Sequence, residues 1–137
     1  MNRFTYPCPL RWSDADAYGH INNTLFLRYM EEARTRMFRE FLATDEEERR
    51  EAAFVVARSI IDYKVPLHYR EEPVDVDVWA TKSAGASFEL AYEIRDADRL
   101  YAEATTKIVA YNLNANRPRR LSDRERDFVA HYTQSQP

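Results

Sequence analysis

The sequence predicts an α+β domain in which one long helix lies against a curved antiparallel sheet of five or six strands. Three observations carry that prediction. A single amphipathic helix pattern sits early in the 137 residues. Stretches with period-two alternation lie on both sides of it, one before and four after. The later stretches are joined by short connections, which favour antiparallel neighbours, and one helix can cover one face of such a sheet.

The chain opens with alternation over Phe4–Trp12, with Phe4, Tyr6, Cys8, Leu10 and Trp12 on one side and Thr5, Pro7, Pro9 and Arg11 on the other. Pro7 and Pro9 both lack a ladder N–H on the same edge, so the stretch belongs at a sheet edge or in an irregular lead-in. Phe26, Met30, Ala33, Met37 and Phe41 then recur at steps of three and four, with Tyr29 beside them and Arg28, Glu32, Arg36, Arg39 and Glu40 largely off the stripe. Asn22 and Asn23 can cap free N–H groups at the helix start, and Gly19 supplies turn freedom just before. The helix is expected to run to about Leu42, about 30 Å in all. The charged run Asp45–Glu51 reads as a solvated helix end or loop.

Four strands are expected after it. Phe54–Leu67 passes from a continuous apolar start into alternation at Ile61, Tyr63, Val65 and Leu67. Val74, Val76 and Val78 alternate with Asp75 and Asp77, giving one apolar and one acidic face. Phe88, Leu90, Tyr92 and Ile94 form the next stretch, reached through a hairpin at Ser83–Ser87 where Gly85 can take positive φ. After a turn at Asp96–Arg99, Tyr101–Asn112 puts Ala102, Ala104, Thr106, Ile108 and Ala110 on one face, small enough for a helix to lie close. The order is therefore strand, helix, then a four-strand meander. Ser122-Asp123-Arg124-Glu125 fits a capping box, so a short final helix runs to about Tyr132, with residues 133–137 expected to fray.

Composition narrows the function. The length and 45% hydrophobic content suit one domain over 1–137 with a real core, and a net charge of −3 offers no overall positive field for nucleic acid. No apolar run reaches the length of a membrane span, and the first residues lack a signal-peptide core, so a cytoplasmic protein is expected with neither membrane nor nucleic acid as partner. Cys8 is the single cysteine and reads as packing. His20, His68 and His131 are scattered, and there is no metal-ligand spacing, phosphate-cradling glycine loop or Gly-x-Ser-x-Gly elbow, so no metal or cofactor is expected.

Chemistry-competent side chains gather just before the long helix: Ser13, Asp14, Asp16, Tyr18 and His20. An isolated Asp-x-Asp serves turns and caps readily. Its position here adds a chemical use, because a helix N-terminus presents unpaired N–H groups that polarise a carbonyl, and a nearby carboxylate can attack it or activate water. The run Arg11-Trp12-Ser13-Asp14-Ala15-Asp16-Ala17-Tyr18-Gly19-His20-Ile21-Asn22-Asn23, followed by Phe26-Leu27-Arg28-Tyr29-Met30-Glu31-Glu32-Ala33-Arg34, resembles the signature of the 4-hydroxybenzoyl-CoA thioesterase-like branch of the hotdog-fold acyl-CoA thioesterases. The resemblance implies a hotdog fold, a homodimer or homotetramer with its site between subunits, and hydrolysis of an acyl-CoA. By position it makes Asp16 the catalytic carboxylate, as nucleophile or general base, and the Asn23 backbone amide the donor to the thioester oxygen. Some relatives carry histidine where Asn23 stands, and imidazole chemistry there has no counterpart in this chain.

Other residues compete for roles. His20 and Asn22 belong to the motif as substrate-side residues, His20 also serving to fix the loop. Arg117, Arg119 and Arg120 form a compact positive cluster suited to the phosphates of CoA, or a solvated linker. Glu31 and Glu32 are the alternative carboxylates, since a neighbouring hotdog branch uses a helix glutamate; they also suit ion pairs along the helix. Hotdog dehydratases place a histidine in a proline-rich loop, and those prolines are missing around Gly19-His20. A non-catalytic module binding acyl thioesters and a thioesterase acting on acyl carrier protein are the alternatives to acyl-CoA hydrolysis.

Overall fold

A computed structural model describes residues 2–40 and 45–133. Strand β1 (Phe4–Cys8) is followed by a 3-10 turn (Trp12–Asp14), helix α1 (Thr24–Met37) with a 3-10 extension (Phe38–Glu40), and a short helix α2 (Glu46–Glu51). Strands β2 (Ala53–Tyr63), β3 (Val74–Ala84), β4 (Ser87–Arg95), β5 (Leu100–Asn112) and β6 (Arg117–Pro118) lead to helix α3 (Asp123–His131). All strand pairs are antiparallel, in the order β1-β3-β4-β5-β2 with β6 added to β5.

The expected stripe is the buried face of α1: Phe26, Tyr29, Met30, Ala33 and Met37 are all buried, and the helix lies against β1 and β3. α1 ends at Met37, short of the expected end near Leu42, and continues only as the 3-10 turn to Glu40; Phe41 and Leu42, like positions 134–137, lie outside the described residues. The sheet's inward residues meet the helix. Val74, Val76, Val78 and Ala80 on β3, Phe88, Leu90, Tyr92 and Ile94 on β4, and Ala102, Ala104, Thr106, Ile108 and Ala110 on β5 are buried. Thr106 is tolerated there because its hydroxyl bonds the Tyr92 hydroxyl at 2.8 Å. The Asp45 carboxylate caps α2, and Ser122 with Glu125 forms the predicted capping box of α3.

Two expectations are corrected. The meander has three strands, not four: β2 does not adjoin β3 but lies on the far side of β5. Lys64–Pro73 carries the chain back across the sheet end, and part of its backbone is used elsewhere, with the Leu67 carbonyl accepting from Ile21 N–H at 2.7 Å and His68 bridging to His20. Thus the alternation of 54–67 runs past the true strand end at Tyr63. Trp12 is not on a buried strand face; β1 ends at Cys8 and Trp12 stands 78% exposed in the 3-10 turn. The acidic face of β3 is the expected one, and part of it is covered. Asp77 is buried and takes hydrogen bonds from Arg95 Nε at 2.8 Å and Thr5 Oγ1 at 2.7 Å. Burial pushes its carboxyl up, but Arg95, Thr5 and Arg3 together hold it below the ordinary carboxylate range.

Candidate functional site

Residues 14–22 fold back on themselves as a small hairpin. Ala15 bridges Ile21, Asp16 N–H donates to the His20 carbonyl at 2.7 Å, and Gly19 N–H returns to the Asp16 carbonyl at 3.0 Å. Gly19 occupies φ 76°, the left-handed conformation that closes a three-residue loop without cost for glycine. Asp16 Oδ1 accepts from Tyr18 N–H at 2.9 Å and His20 N–H at 3.2 Å. That leaves Oδ2 of Asp16 without a protein partner among the described residues.

Asp14, two residues earlier, has a different fate. It is 3% exposed and accepts from Tyr29 Oη at 2.7 Å and from Arg11 Nε at 3.2 Å. Burial raises its carboxyl, but those hydrogen bonds prevail and hold it below its ordinary range, while burial and the facing carboxylate push the Tyr29 phenol up. The Asp14 carbonyl also accepts Asn22 N–H at 2.9 Å. Asp14 therefore pins the hairpin to α1, while Asp16 keeps one carboxylate oxygen unengaged among the described residues.

The helix start follows directly. Asn22, rather than Asn23, supplies the side-chain cap, its Oδ1 accepting from Thr24 N–H at 3.0 Å. Asn23 is already helical at φ −55°, ψ −32°, and its N–H has no acceptor among the described residues. Its carbonyl accepts from Phe26 N–H at 3.2 Å and from the Tyr63 hydroxyl at 3.0 Å, tying the helix start to the end of β2. Asp16, His20, Asn22 and Asn23 line one cavity of about 460 Å³, whose apolar wall is Phe26, Tyr63, Val65 and Leu67. The His20 ring meets His68 edge-on, 4.4 Å between centroids. Tyr63 and the 64–67 loop were absent from the sequence-based site. The signal for them was the aromatic at the end of the β2 alternation, which reads equally as core.

The other expected residues are not brought to this cavity within one protomer. Arg117 on β6 pairs with Asn112 on β5, while Tyr111 faces Ala53 at the start of β2, and the cavity lies beyond Tyr63 at its end. A strand of that length separates them by roughly 30 Å. Arg119 is committed further: its two terminal nitrogens contact Glu125 at 2.7 and 2.9 Å, and Nη2 also bonds the Ala53 carbonyl at 3.1 Å. Arg117 and Arg120 are exposed. Glu31 lies 3.7 Å from Arg34, and Glu32 lies 3.7 Å from Arg28 and 3.8 Å from Cys8 Sγ, both two turns along α1.

The arrangement can bind a carbonyl at the helix end with a carboxylate beside it. Among the described residues no group of three or more His, Cys, Asp or Glu side chains is placed to hold a metal, and no helix is long and apolar enough to cross a membrane. A family model described as the thioesterase-like superfamily matches residues 10–129. The chain is 26% identical over 119 residues to the acyl-CoA thioesterase YbgC of Haemophilus influenzae, covering 85% of this chain and 87% of that one. A Thermus thermophilus thioesterase solved with coenzyme A and Zn is 29% identical, with a TM-score of 0.78 over 93% of this chain and 92% of that one. A 1,4-dihydroxy-2-naphthoyl-CoA thioesterase from Synechocystis shares the fold at 23% identity, with a TM-score of 0.81 over 94% of this chain and 96% of that one.

Proposed function

The chain belongs to the thioesterase-like superfamily, and from that premise we propose that it hydrolyses an acyl-CoA thioester to the free acid and CoA, with Asp16 as the catalytic carboxylate. The observation that carries the reading is a single cavity lined by both Asp16 and Asn23, the residue at the start of α1 whose N–H has no acceptor among the described residues. In this mechanism the thioester oxygen accepts from Asn23 N–H, and the helix end stabilises the negative charge that develops on it. Asp16 Oδ2 attacks the carbonyl carbon, or takes a proton from the water that does. Collapse of the adduct breaks the C–S bond, and CoA leaves as a thiolate that takes its proton from Asp16 where Asp16 acted as base, or from solvent where it acted as nucleophile. An acylated Asp16, if formed, is released by water in a second step. Phe26, Val65 and Leu67 offer the acyl group an apolar wall.

The working unit in this reading is a homo-oligomer. β2 is an outer strand of the sheet, eleven residues long, with Val56, Ile60 and Tyr63 exposed on it. A long apolar edge strand is a template for pairing with a second chain. An antiparallel join along β2 turns the partner end for end, which carries the partner's Arg117 and Arg120 to the end of the sheet where this protomer's cavity opens. From there they can serve the CoA phosphates, a role too distant for the same residues of one chain.

The test is release of free thiol from short, long and aromatic acyl-CoAs by wild type and Asp16→Asn. A loss of about a hundredfold or more in the variant, with the fold intact, supports a carboxylate in the chemical step. Binding without thiol release favours a non-catalytic acyl-thioester module, and an active variant moves the role to Glu31 or Glu32.

A further inference from the structure

The outward side chains along the regular part of β2 are Arg58, Ile60 and Asp62, a cation, an apolar residue and an anion at alternate positions. All three are exposed, and among the described residues neither Arg58 nor Asp62 has an ion-pair partner. On β5 the residues directly beside them repeat the order: Lys107 by Arg58, Thr105 by Ile60, Glu103 by Asp62. Within one sheet this sets like charges next to each other twice; Glu103 is offset by Lys64 at 3.7 Å and Lys107 faces Glu89 on β4, which leaves Arg58 and Asp62 as the unpaired members. Read antiparallel, however, the pattern is its own complement.

We infer that two copies of this chain join β2 to β2 with the two-fold axis at Ile60, so that Arg58 of each copy lies opposite the partner's Asp62. The inference rests on the β2-edge dimer proposed above and fixes its register. Three constraints select it. A continuous sheet keeps its pleat, so an axis falling between two residues would set an inward side chain opposite an outward one and is excluded. The bulge between Val56 and Arg58 ends regular pairing on one side and the strand end at Tyr63 on the other, which centres the overlap on Ile60 or Ile61. An axis at Ile61 sets Arg58 against the partner's Lys64 and leaves Asp62 facing the partner's Ile60. An axis at Ile60 forms two Arg58–Asp62 pairs and brings the two Ile60 side chains together, with the Glu103 and Lys107 rows extending the same complementarity on either flank. The join has a consequence for the site. Tyr63, which holds the Asn23 carbonyl, comes to lie opposite the partner's Ala57, so the partner's bulge seats against the strand end that anchors the helix start.

Sedimentation equilibrium and disulfide trapping test this together. Arg58→Asp and Asp62→Arg, made singly, are each expected to weaken the dimer about tenfold or more, since each sets like charges across the join. The double variant Arg58→Asp/Asp62→Arg is expected to regain wild-type affinity, and the two single variants mixed are expected to form a heterodimer. Ile60→Cys is expected to cross-link on oxidation, its partner being within disulfide reach at the axis, while Ile61→Cys is not. A double variant as weak as the singles, or cross-linking through Ile61→Cys instead, overturns the register and leaves the β2-edge dimer standing. A dimer indifferent to every swap and trapped by neither cysteine overturns the edge dimer itself, and a monomer at all concentrations overturns both.

Discussion

Replacing Asp14 separates the structural carboxylate of the 14–22 hairpin from the one proposed for chemistry. Its side chain is 3% exposed and accepts from Tyr29 Oη at 2.7 Å, Arg11 Nε at 3.2 Å and Arg11 N–H at 3.3 Å. Asp14→Ala removes the acceptor for a buried phenol, and leaving such a donor unpaired costs about 1–3 kcal/mol, with about 1 kcal/mol more for the charge-assisted contact to Arg11, itself half in solvent. A total near 3 kcal/mol is expected in urea unfolding, read as a lower midpoint at unchanged slope. Asp14→Asn keeps an acceptor for Tyr29 and should lose about half as much. The pH dependence has a definite sign. The folded carboxyl lies below its ordinary 3.8, so its contribution is complete above that pH and is lost as pH falls through the folded value; the acid-side decline of wild type should therefore be steeper than that of Asp14→Asn. A loss under about 1 kcal/mol for Asp14→Ala would refute the reasoning, because a buried phenol left unpaired cannot cost so little unless the hairpin is held by something else.

Two further outcomes follow from the same region. Gly19→Ala should cost about 1 kcal/mol, entirely from backbone strain at φ 76°, because nothing lies within 4 Å of the added methyl; Gly19→Asn should cost less, and equal stability of all three in thermal unfolding would count against the left-handed turn. Cys8 is fully buried beside Glu32, with burial and that carboxylate pushing its thiol up to about 12, so native protein at pH 8 should resist a thiol reagent that labels the urea-unfolded chain at once.

Local chemistry made much of the fold legible. The α1 stripe, the capping box at Ser122 and the turn at Gly85 each depend on residues a few positions apart, and each stands where the sequence put it. Partner choice was not legible. The alternation of β2 fits a neighbour on either side, and only the loop 64–73, pinned to the hairpin through Leu67 and His68, decides that β2 crosses to β5. The burial of Asp77 was not legible for a related reason: alternation puts it on the acidic face, and only the long-range arrival of Arg3, of Thr5 on β1 and of Arg95 on β4 covers it there. At the site, the motif distinguished Asp16 from Asp14 by resemblance alone. The physical distinction, one carboxylate with its oxygens spent on Tyr29 and Arg11 and the other with an oxygen to spare, is tertiary.

The hairpin that carries Asp16 is closed by main-chain bonds, by Asp16 Oδ1 and by one glycine, and Tyr18 at its tip stands 83% exposed. Geometry and side-chain identity are thereby uncoupled at Ala17 and Tyr18. Neither side chain lines the cavity, so both positions can vary in size and polarity while the Asp16 carboxylate stays where the backbone holds it.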